Sequence, residues 1–244
     1  MQRLTEFLWR RLRAWMSARE LLSAPEGMPP RNPDDRSAAV FRLPGRKFLH
    51  VGCGWARKPA VGPGFQGEDW REVRLDIDPA VQPDIIASML DMSLVPTESV
   101  DAVYSSHTIE HLYPHEVPVA LSEMLRVLKP NGFLLLTCPD LQSICRLVVE
   151  DKLDQPAYLS PAGPIAPLDV LYGHRPQLAA GNLYMAHHTG FTLKTMREAM
   201  LAAGFRSITG KQREVGFFDL WVLATKAPVL EEELRHLASE NFPS

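Results

Sequence analysis

Cysteine is scarce in the sequence, and its distribution excludes a fold held together by disulfide bonds. The 244 residues include three cysteines, Cys53, Cys138 and Cys145, and no two of them have Cys-x-x-Cys spacing. An odd number of widely spaced thiols is typical of proteins in a reducing compartment. We therefore predict a cytoplasmic protein without a disulfide framework.

Long apolar runs and a strong excess of one charge sign are also missing. No run reaches the length of about 18 apolar residues that a membrane-spanning helix needs. The formal net charge at pH 7 is −3, which offers no broad basic surface to a nucleic-acid backbone. Neither a transmembrane protein nor a nucleic-acid partner is therefore expected.

What the sequence does have is enough apolar material for one full domain. Apolar residues make up 45% of the chain, which at this length can bury a continuous core. We predict an N-terminal amphipathic helix and proline-rich connector at 1–46, a domain at 47–227 with a substrate-facing insertion at 151–191, and a C-terminal tail at 228–244.

The first 22 residues have the periodicity of an amphipathic helix. The apolar face of this helix is formed by Leu4, Leu8, Leu12, Trp15, Met16 and Leu22. Five arginines against two glutamates make the segment basic, which is also found in helices that bind a membrane surface. Such helices more often pack on protein than on lipid, so we favour a lid on the domain over contact with a membrane surface.

The domain alternates short apolar runs with helical segments. Five runs have the character of buried strands: 47–52, 71–76, 84–87, 101–106 and 132–139. Helices are predicted at 114–132, 140–150 and 192–204, and a strand hairpin at 205–226. This alternation predicts an α/β fold with a doubly wound, mostly parallel, Rossmann-like sheet that ends in an antiparallel hairpin.

Five motifs follow one another along the domain: "HVGCG" (50–54), "RLDID" (74–78), "DAVYSSHTIEHL" (101–112), "LRVLKPNGFLLLTCPD" (125–140) and the final hairpin. In this order they make the domain resemble a class I S-adenosylmethionine-dependent methyltransferase of the small-molecule type. The resemblance implies a methyltransferase enzyme whose cofactor is S-adenosyl-L-methionine. A dinucleotide oxidoreductase fits less well, because Arg57 stands where its fingerprint needs a glycine.

The resemblance puts the cofactor at the carboxyl ends of the strands, where ligands of open α/β sheets bind. Gly52 and Gly54 lack a Cβ, so the backbone can approach the methionine part of the cofactor. Asp76 ends the second strand and is expected to accept hydrogen bonds from both ribose hydroxyls. The remaining predicted contacts are Cys53, Trp55, Ile77, Asp91, Met92, Ser105 and Ser106.

Two features depart from the pattern of this family. His50 stands where an acidic residue usually helps to hold the amino group of the cofactor. Prolines and glycines between residues 59 and 67 cannot sustain a helix. We therefore expect the first crossover connection to be a loop up to Trp70.

Histidines and the 151–191 insertion indicate where the methyl acceptor binds. A segment of this length is typical of a lid or binding loop, and its aromatic rings and few charges suit a small, partly apolar acceptor. We predict His107 and His188, with His187 as a further candidate, as catalytic residues that accept a proton or orient the acceptor. Histidine bases favour oxygen as the methylated atom.

Two alternatives stay open. In one, the chain is a noncatalytic cofactor-binding partner subunit, whose arm and insertion form an interface. In the other, residues 107–111, "HTIEH", act as the His-x-x-Glu-His motif of a zinc metallopeptidase, with His107 and His111 as ligands and Glu110 activating water. Pro114 and the preceding strand leave little room for the long helix of such a site. We therefore predict no metal ligand.

Overall fold

The structure, a computed structural model, describes residues 39–160, 162–213 and 216–243. The amphipathic helix predicted at 1–22 lies outside these residues. Residues 39–42, at the end of the predicted connector, are helical, and Val40 and Phe41 pack against the core of the domain.

The regular elements follow one another closely along the chain. The strands are β1 (Arg46–Val51), β2 (Trp70–Asp76), β3 (Ile85–Ile86), β4 (Val100–Ser106), β5 (Leu128–Pro139), β6 (Tyr158–Ser160), β7 (Gly163–Ile165), β8 (Ser207–Arg213) and β9 (Asp219–Thr225). The α-helices that follow β1 are α1 (Val117–Val127), α2 (Leu141–Val149), α3 (Pro167–Tyr172), α4 (Arg175–Ala179), α5 (Leu193–Ala203) and α6 (Glu231–Asn241).

In the described part of the chain, seven strands form the central sheet in the order β3-β2-β1-β4-β5-β9-β8. Strands β1 to β5 are parallel to one another, and β9 runs antiparallel to both β5 and β8. The predicted mostly parallel sheet with an antiparallel hairpin is therefore confirmed. Strand order reverses between β1 and β4, and this reversal opens a crevice at the carboxyl ends of the strands.

The first crossover contains no α-helix between residues 52 and 69, as the prolines and glycines predict. Two short 3₁₀ turns, Lys58–Ala60 and Pro63–Phe65, take the place of a helix. Phe65 from the second turn is fully buried, and its ring lies 4.5 Å from that of Phe48, centroid to centroid. The crossover is therefore a packed layer over one face of the sheet.

Helix boundaries follow local signals with one exception. Helix α5 begins after Thr192, whose hydroxyl accepts a hydrogen bond from the Thr195 amide, and ends at Gly204 with φ +108°. Helix α1 ends at Val127, earlier than the predicted stop near Pro130. The reason is that Leu128 already has extended backbone and pairs with Val100 at the start of β5.

The segment predicted as a C-terminal tail, 228–244, contains helix α6. Leu234 and Leu237 of α6, together with Phe242 just after the helix, pack on the aromatic layer around Phe65 and Trp70. The ring of Phe242 also lies near that of Trp221 on β9. The final helix is thus part of the domain rather than an appendage.

The insertion at 151–191 is folded rather than structureless. Strands β6 and β7 pair as a small antiparallel hairpin, and helices α3 and α4 follow it. A 3₁₀ turn at Leu183–Met185 then leads the chain back to the sheet. Among the described residues, no helix has the length and hydropathy needed to cross a membrane.

Candidate functional site

A cavity of about 450 Å³ lies at the carboxyl ends of β1, β2 and β4. Strand ends and the turns after them provide one set of lining residues, the strand-end wall: Val51, Gly52, Gly54, Trp55, Leu75, Asp76, Ile77, Asp78, Ala87, Ser88, Met89, His107 and Thr108. The insertion provides a second set, the insertion wall: Asn182, Leu183, Tyr184, Met185 and His188. Val81, His111 and Leu112 complete the lining.

The glycine turn after β1 has a left-handed backbone conformation that residues with a side chain rarely adopt. Gly52 and Gly54 have φ values of +66° and +49°. The Gly52 amide donates to the Leu75 carbonyl over 2.9 Å, which ties the turn to β2. A Cβ on Gly52 would lie 2.2 Å from Cγ2 of Thr108, so no larger residue fits there. The turn therefore presents bare backbone to the cavity.

Asp76, at the end of β2, holds this turn with its carboxylate. One oxygen accepts from the Gly54 amide over 2.8 Å, and the other accepts from the Asp78 amide over 2.9 Å. Each carboxylate oxygen has a second lone pair, so Asp76 keeps acceptor capacity for a ligand in the cavity. Asp78 itself caps the 3₁₀ turn at Pro79–Val81 by accepting from Ala80.

Arg74 is a part of the site that the sequence analysis missed. It is 3% exposed, and its guanidinium donates to the carbonyls of Gly54, Val81 and Gln82. It thereby joins the glycine turn to the turn after β2. The available signal was a charged residue between Val73 and Leu75, the two apolar residues of the predicted strand "REVRLD".

His50, the departure from the family pattern, lies outside the cavity. It is 2% exposed, and its Nδ1 is 2.7 Å from Oε1 of Glu72 on the adjacent strand. The other carboxylate oxygen of Glu72 accepts from the Lys58 amide over 2.8 Å. A carboxylate therefore does support the first crossover, but it comes from β2 instead of β1.

Near β3, the structure does not bring the predicted acidic contact to the cavity. Asp91 lies in a separate surface hollow beside Glu123 and Arg126, and Met92 is fully buried in the core. The reason is that β3 has two residues, after which the Ser88 hydroxyl accepts from the Leu90 amide and turns the chain away. Ala87, Ser88 and Met89 line the cavity instead.

Three other predicted contacts do not line the cavity either. Cys53 is buried, and this burial raises the pKa of its thiol to about 12. Ser105 is 1% exposed, and the Ser106 hydroxyl lies 2.7 Å from that of Thr137 on β5. Strand β4 therefore reaches the cavity through the residues that follow it, His107 and Thr108.

His107 begins the loop after β4 with a left-handed backbone, φ +51°. Its side chain is 45% exposed, and its Nδ1 lies 3.5 Å from Oε1 of the buried Glu110. Partial burial disfavours the charged ring, but contact with the Glu110 carboxylate outweighs it and raises the pKa of His107. Ile109–His111 is one 3₁₀ turn, so His107 and His111 do not share a face of a long helix as a zinc metallopeptidase requires.

The insertion docks on this loop through its last residues. The amides of His188 and Thr189 both donate to the Glu110 carbonyl, over 2.9 and 3.2 Å. The His188 ring stacks on Tyr113 with 4.2 Å between centroids. His107 and His188 therefore line the same cavity.

His187 faces a second cavity of about 300 Å³, which Glu110 and His188 also line. Its Nδ1 lies 2.7 Å from the Val170 carbonyl, and burial lowers the pKa of its ring. Glu110, His111 and His187 each place a ligand atom within 4.8 Å of the other two. The structure therefore separates His187 from the first cavity, which we call the cofactor-side cavity, and groups it with the loop after β4.

The family profile described as "Methyltransferase domain" matches residues 49–136, from β1 into β5. The chain carries a methyltransferase domain. This match confirms the resemblance to class I S-adenosylmethionine-dependent methyltransferases, and with it the predicted enzyme class and cofactor. No curated protein sequence matches the chain.

Several solved methyltransferase structures are similar to this chain. A possible histamine N-methyltransferase from Thermotoga maritima is 14% identical, with 80% of this chain and 87% of that chain covered and a TM-score of 0.49. A 1,6-didemethyltoxoflavin-N1-methyltransferase from Burkholderia thailandensis is 14% identical, with coverage of 90% and 86% and a TM-score of 0.49. An S-adenosylmethionine-dependent methyltransferase from Mesorhizobium loti is 17% identical, with coverage of 80% and 100% and a TM-score of 0.48. Such low identities do not transfer a substrate to this chain.

Proposed function

We propose that the enzyme transfers the methyl group of S-adenosylmethionine to a small-molecule acceptor, with oxygen favoured as the methylated atom. One observation carries this proposal: a single cavity is lined both by the strand-end wall and by the insertion wall. The volume of about 450 Å³ is in the range of small-ligand sites. The two walls give separate surfaces for the cofactor and for the acceptor.

The strand-end wall has the features that suit the cofactor. The bare backbone of Gly52 and Gly54 would hold its methionine part, and the free acceptor capacity of Asp76 would hold the ribose hydroxyls. Bound S-adenosylmethionine supplies an already activated methyl group on a positively charged sulfur. The protein is then needed mainly to align an acceptor, because alignment lowers the barrier for a displacement in line.

Two histidines suit an oxygen acceptor. His107 from the strand-end wall and His188 from the insertion wall both line the cavity. A hydroxyl acceptor must lose its proton as it is methylated, and a histidine ring within hydrogen-bond reach can accept it. An amine or thiolate acceptor needs less help, so this pair supports oxygen.

Substitution of Asp76 tests the cofactor site. We expect Asp76→Ala to weaken binding of S-adenosylhomocysteine by about 1.5–3 kcal/mol, because charge-assisted hydrogen bonds to two hydroxyls are lost. This corresponds to a dissociation constant about 10- to 150-fold higher by titration calorimetry. Asp78→Ala is the matched control, because Asp78 lines the same cavity but uses its carboxylate to cap a turn. An unchanged dissociation constant in a folded Asp76→Ala protein would contradict the assignment.

A further inference from the structure

The loop after β4 contains a buried carboxylate with an unsatisfied oxygen. Glu110 is 2% exposed, and its Oε2 has no hydrogen-bond partner among the residues that the structure describes. Its other oxygen lies 3.5 Å from His107. A buried carboxylate oxygen without a partner is costly, and in native structures it commonly indicates an unseen ligand, water or ion.

Besides His107, two further imidazole rings, those of His111 and His187, lie near this carboxylate, and each has one nitrogen fixed by a backbone carbonyl. Nδ1 of His111 lies 3.0 Å from the Ala186 carbonyl, and Nδ1 of His187 lies 2.7 Å from the Val170 carbonyl. A carbonyl only accepts hydrogen bonds, so Nδ1 of each ring carries the proton. The Nε2 of each neutral ring then keeps a free lone pair, which is the usual arrangement of a metal-binding histidine.

We propose that Glu110, His111 and His187 form a binding site for a divalent transition-metal ion of the Zn²⁺ type. Their ligand atoms lie within 4.8 Å of one another, and the ring centroids of the two histidines are 4.9 Å apart. Two imidazole nitrogens and one carboxylate oxygen are a ligand set that zinc takes in catalytic sites, with a further position left for an oxygen ligand.

The position of the site suggests what the ion does. His187 comes from the insertion, while Glu110 and His111 come from the loop after β4, so the ion would join the insertion to the sheet. His111 lines the cofactor-side cavity, and Glu110 and His187 line the second cavity. The three proposed ligands therefore include residues that line each of the two cavities. The metal site does not depend on the proposed methyl acceptor.

Metal binding by the full chain tests this proposal without any assay of activity. Protein freed of metal with a chelator is titrated with Zn²⁺ in a calorimeter, and with Co²⁺ while its visible absorption is recorded. We expect one equivalent of either ion and the intense visible bands of a four-coordinate Co²⁺ site. Zn²⁺ should also raise the melting temperature, because it binds the native state.

Single substitutions locate the site. His187→Ala and Glu110→Gln should each weaken Zn²⁺ binding by at least about 100-fold, because one of three protein ligands is lost. His236→Ala is the matched control, since His236 lies on α6 with a side chain that is 71% exposed, and it should bind as the wild type does. Failure of the wild-type chain to bind one equivalent, or binding that is unchanged in His187→Ala, would overturn the proposal. If Glu110→Gln does not fold, the wild-type Co²⁺ spectrum and His187→Ala still decide.

Discussion

The two walls of the cofactor-side cavity are built in different ways. The strand-end wall continues from β1, β2 and β4, whose parallel pairing fixes the position of each residue. The insertion wall follows two short helices and consists mainly of a 3₁₀ turn. It is attached to the loop after β4 by a few hydrogen bonds to Glu110 and His111. Under the proposed function, the wall fixed by strand pairing would hold the cofactor, and the wall fixed by a few loop contacts would set the choice of acceptor.

The largest expected effect comes from removing both cavity histidines. His107→Asn combined with His188→Asn should lower turnover by about 10²- to 10⁴-fold with a hydroxyl acceptor, because no general base is left. Asparagine is the suitable replacement at position 107, since it tolerates the left-handed backbone found there. Turnover is measured as release of S-adenosylhomocysteine, and the dissociation constant of the cofactor should barely change.

The single variants His107→Asn and His188→Asn show how much of the loss of turnover comes from each wall. His174→Asn, in the insertion but outside the cavity lining, serves as the control. Wild-type rates in both single variants and in the double variant would refute the base role. The preference would then move to an amine or carbon acceptor.

A smaller effect is expected from filling the glycine turn of the strand-end wall. Gly52→Ala should cost about 3 kcal/mol of stability, because its Cβ meets Thr108 and its φ is +66°. Gly54→Ala should cost about 1 kcal/mol, since nothing lies within 4 Å of a Cβ there. Urea denaturation measures both. Equal losses of stability in Gly52→Ala and Gly54→Ala would show that the contact with Thr108 does not constrain the turn.

The smallest effect concerns the stability of the insertion. Asp169 is buried and accepts hydrogen bonds from the Arg175 side chain and from the Ala166 amide. Hydrogen bonds from Arg175 lower the pKa of Asp169 to about 2. Asp169→Asn should therefore lower the free energy of local unfolding of the insertion by about 1 kcal/mol. The expected loss is this small because Arg175 is half exposed and solvent screens the ion pair.

The pH dependence of this contribution has a definite sign. The pKa of Asp169 in the folded protein is below its ordinary value near 3.9. Its contribution to the stability of the insertion is therefore present above about pH 4 and is lost as pH falls toward 2. Hydrogen exchange of the insertion should therefore increase over that range in the wild type and change less in Asp169→Asn. The exchange rates of the β1 amides should change equally in both proteins. Glu198→Gln is the control variant, because Glu198 belongs to an exposed ion pair with Lys194.

The strand-end wall could be predicted from sequence where the signal is local. Gly52 and Asp76 each stand directly at the end of an apolar strand, and the structure brings both to the cavity. Asp91 lies outside the cavity, because the short β3 and the turn at Ser88 lead the chain away, and neither leaves a trace in the local sequence pattern. Arg74 was missed because its partners are backbone carbonyls, which sequence does not reveal.

The insertion wall was harder to predict for a physical reason. Its histidines were recognised as candidates, but only tertiary contacts separate His188, in the cofactor-side cavity, from the adjacent His187. The approach of His187 to Glu110 joins segments that are far apart in the chain. Hydrophobic periodicity describes residues within one helix or strand, so it does not predict a contact between distant segments.

The packing of α6 on the first crossover has a consequence for the order of folding during synthesis. Phe65 emerges from the ribosome early, but Leu234 and Leu237, which cover its aromatic layer, are made much later. At usual elongation rates of about 5–20 residues per second, that face stays uncovered for about ten seconds or more. In the later part of this interval the parallel strands β1 to β5 have already been made, yet the nascent chain still exposes an aromatic surface that chaperones can bind.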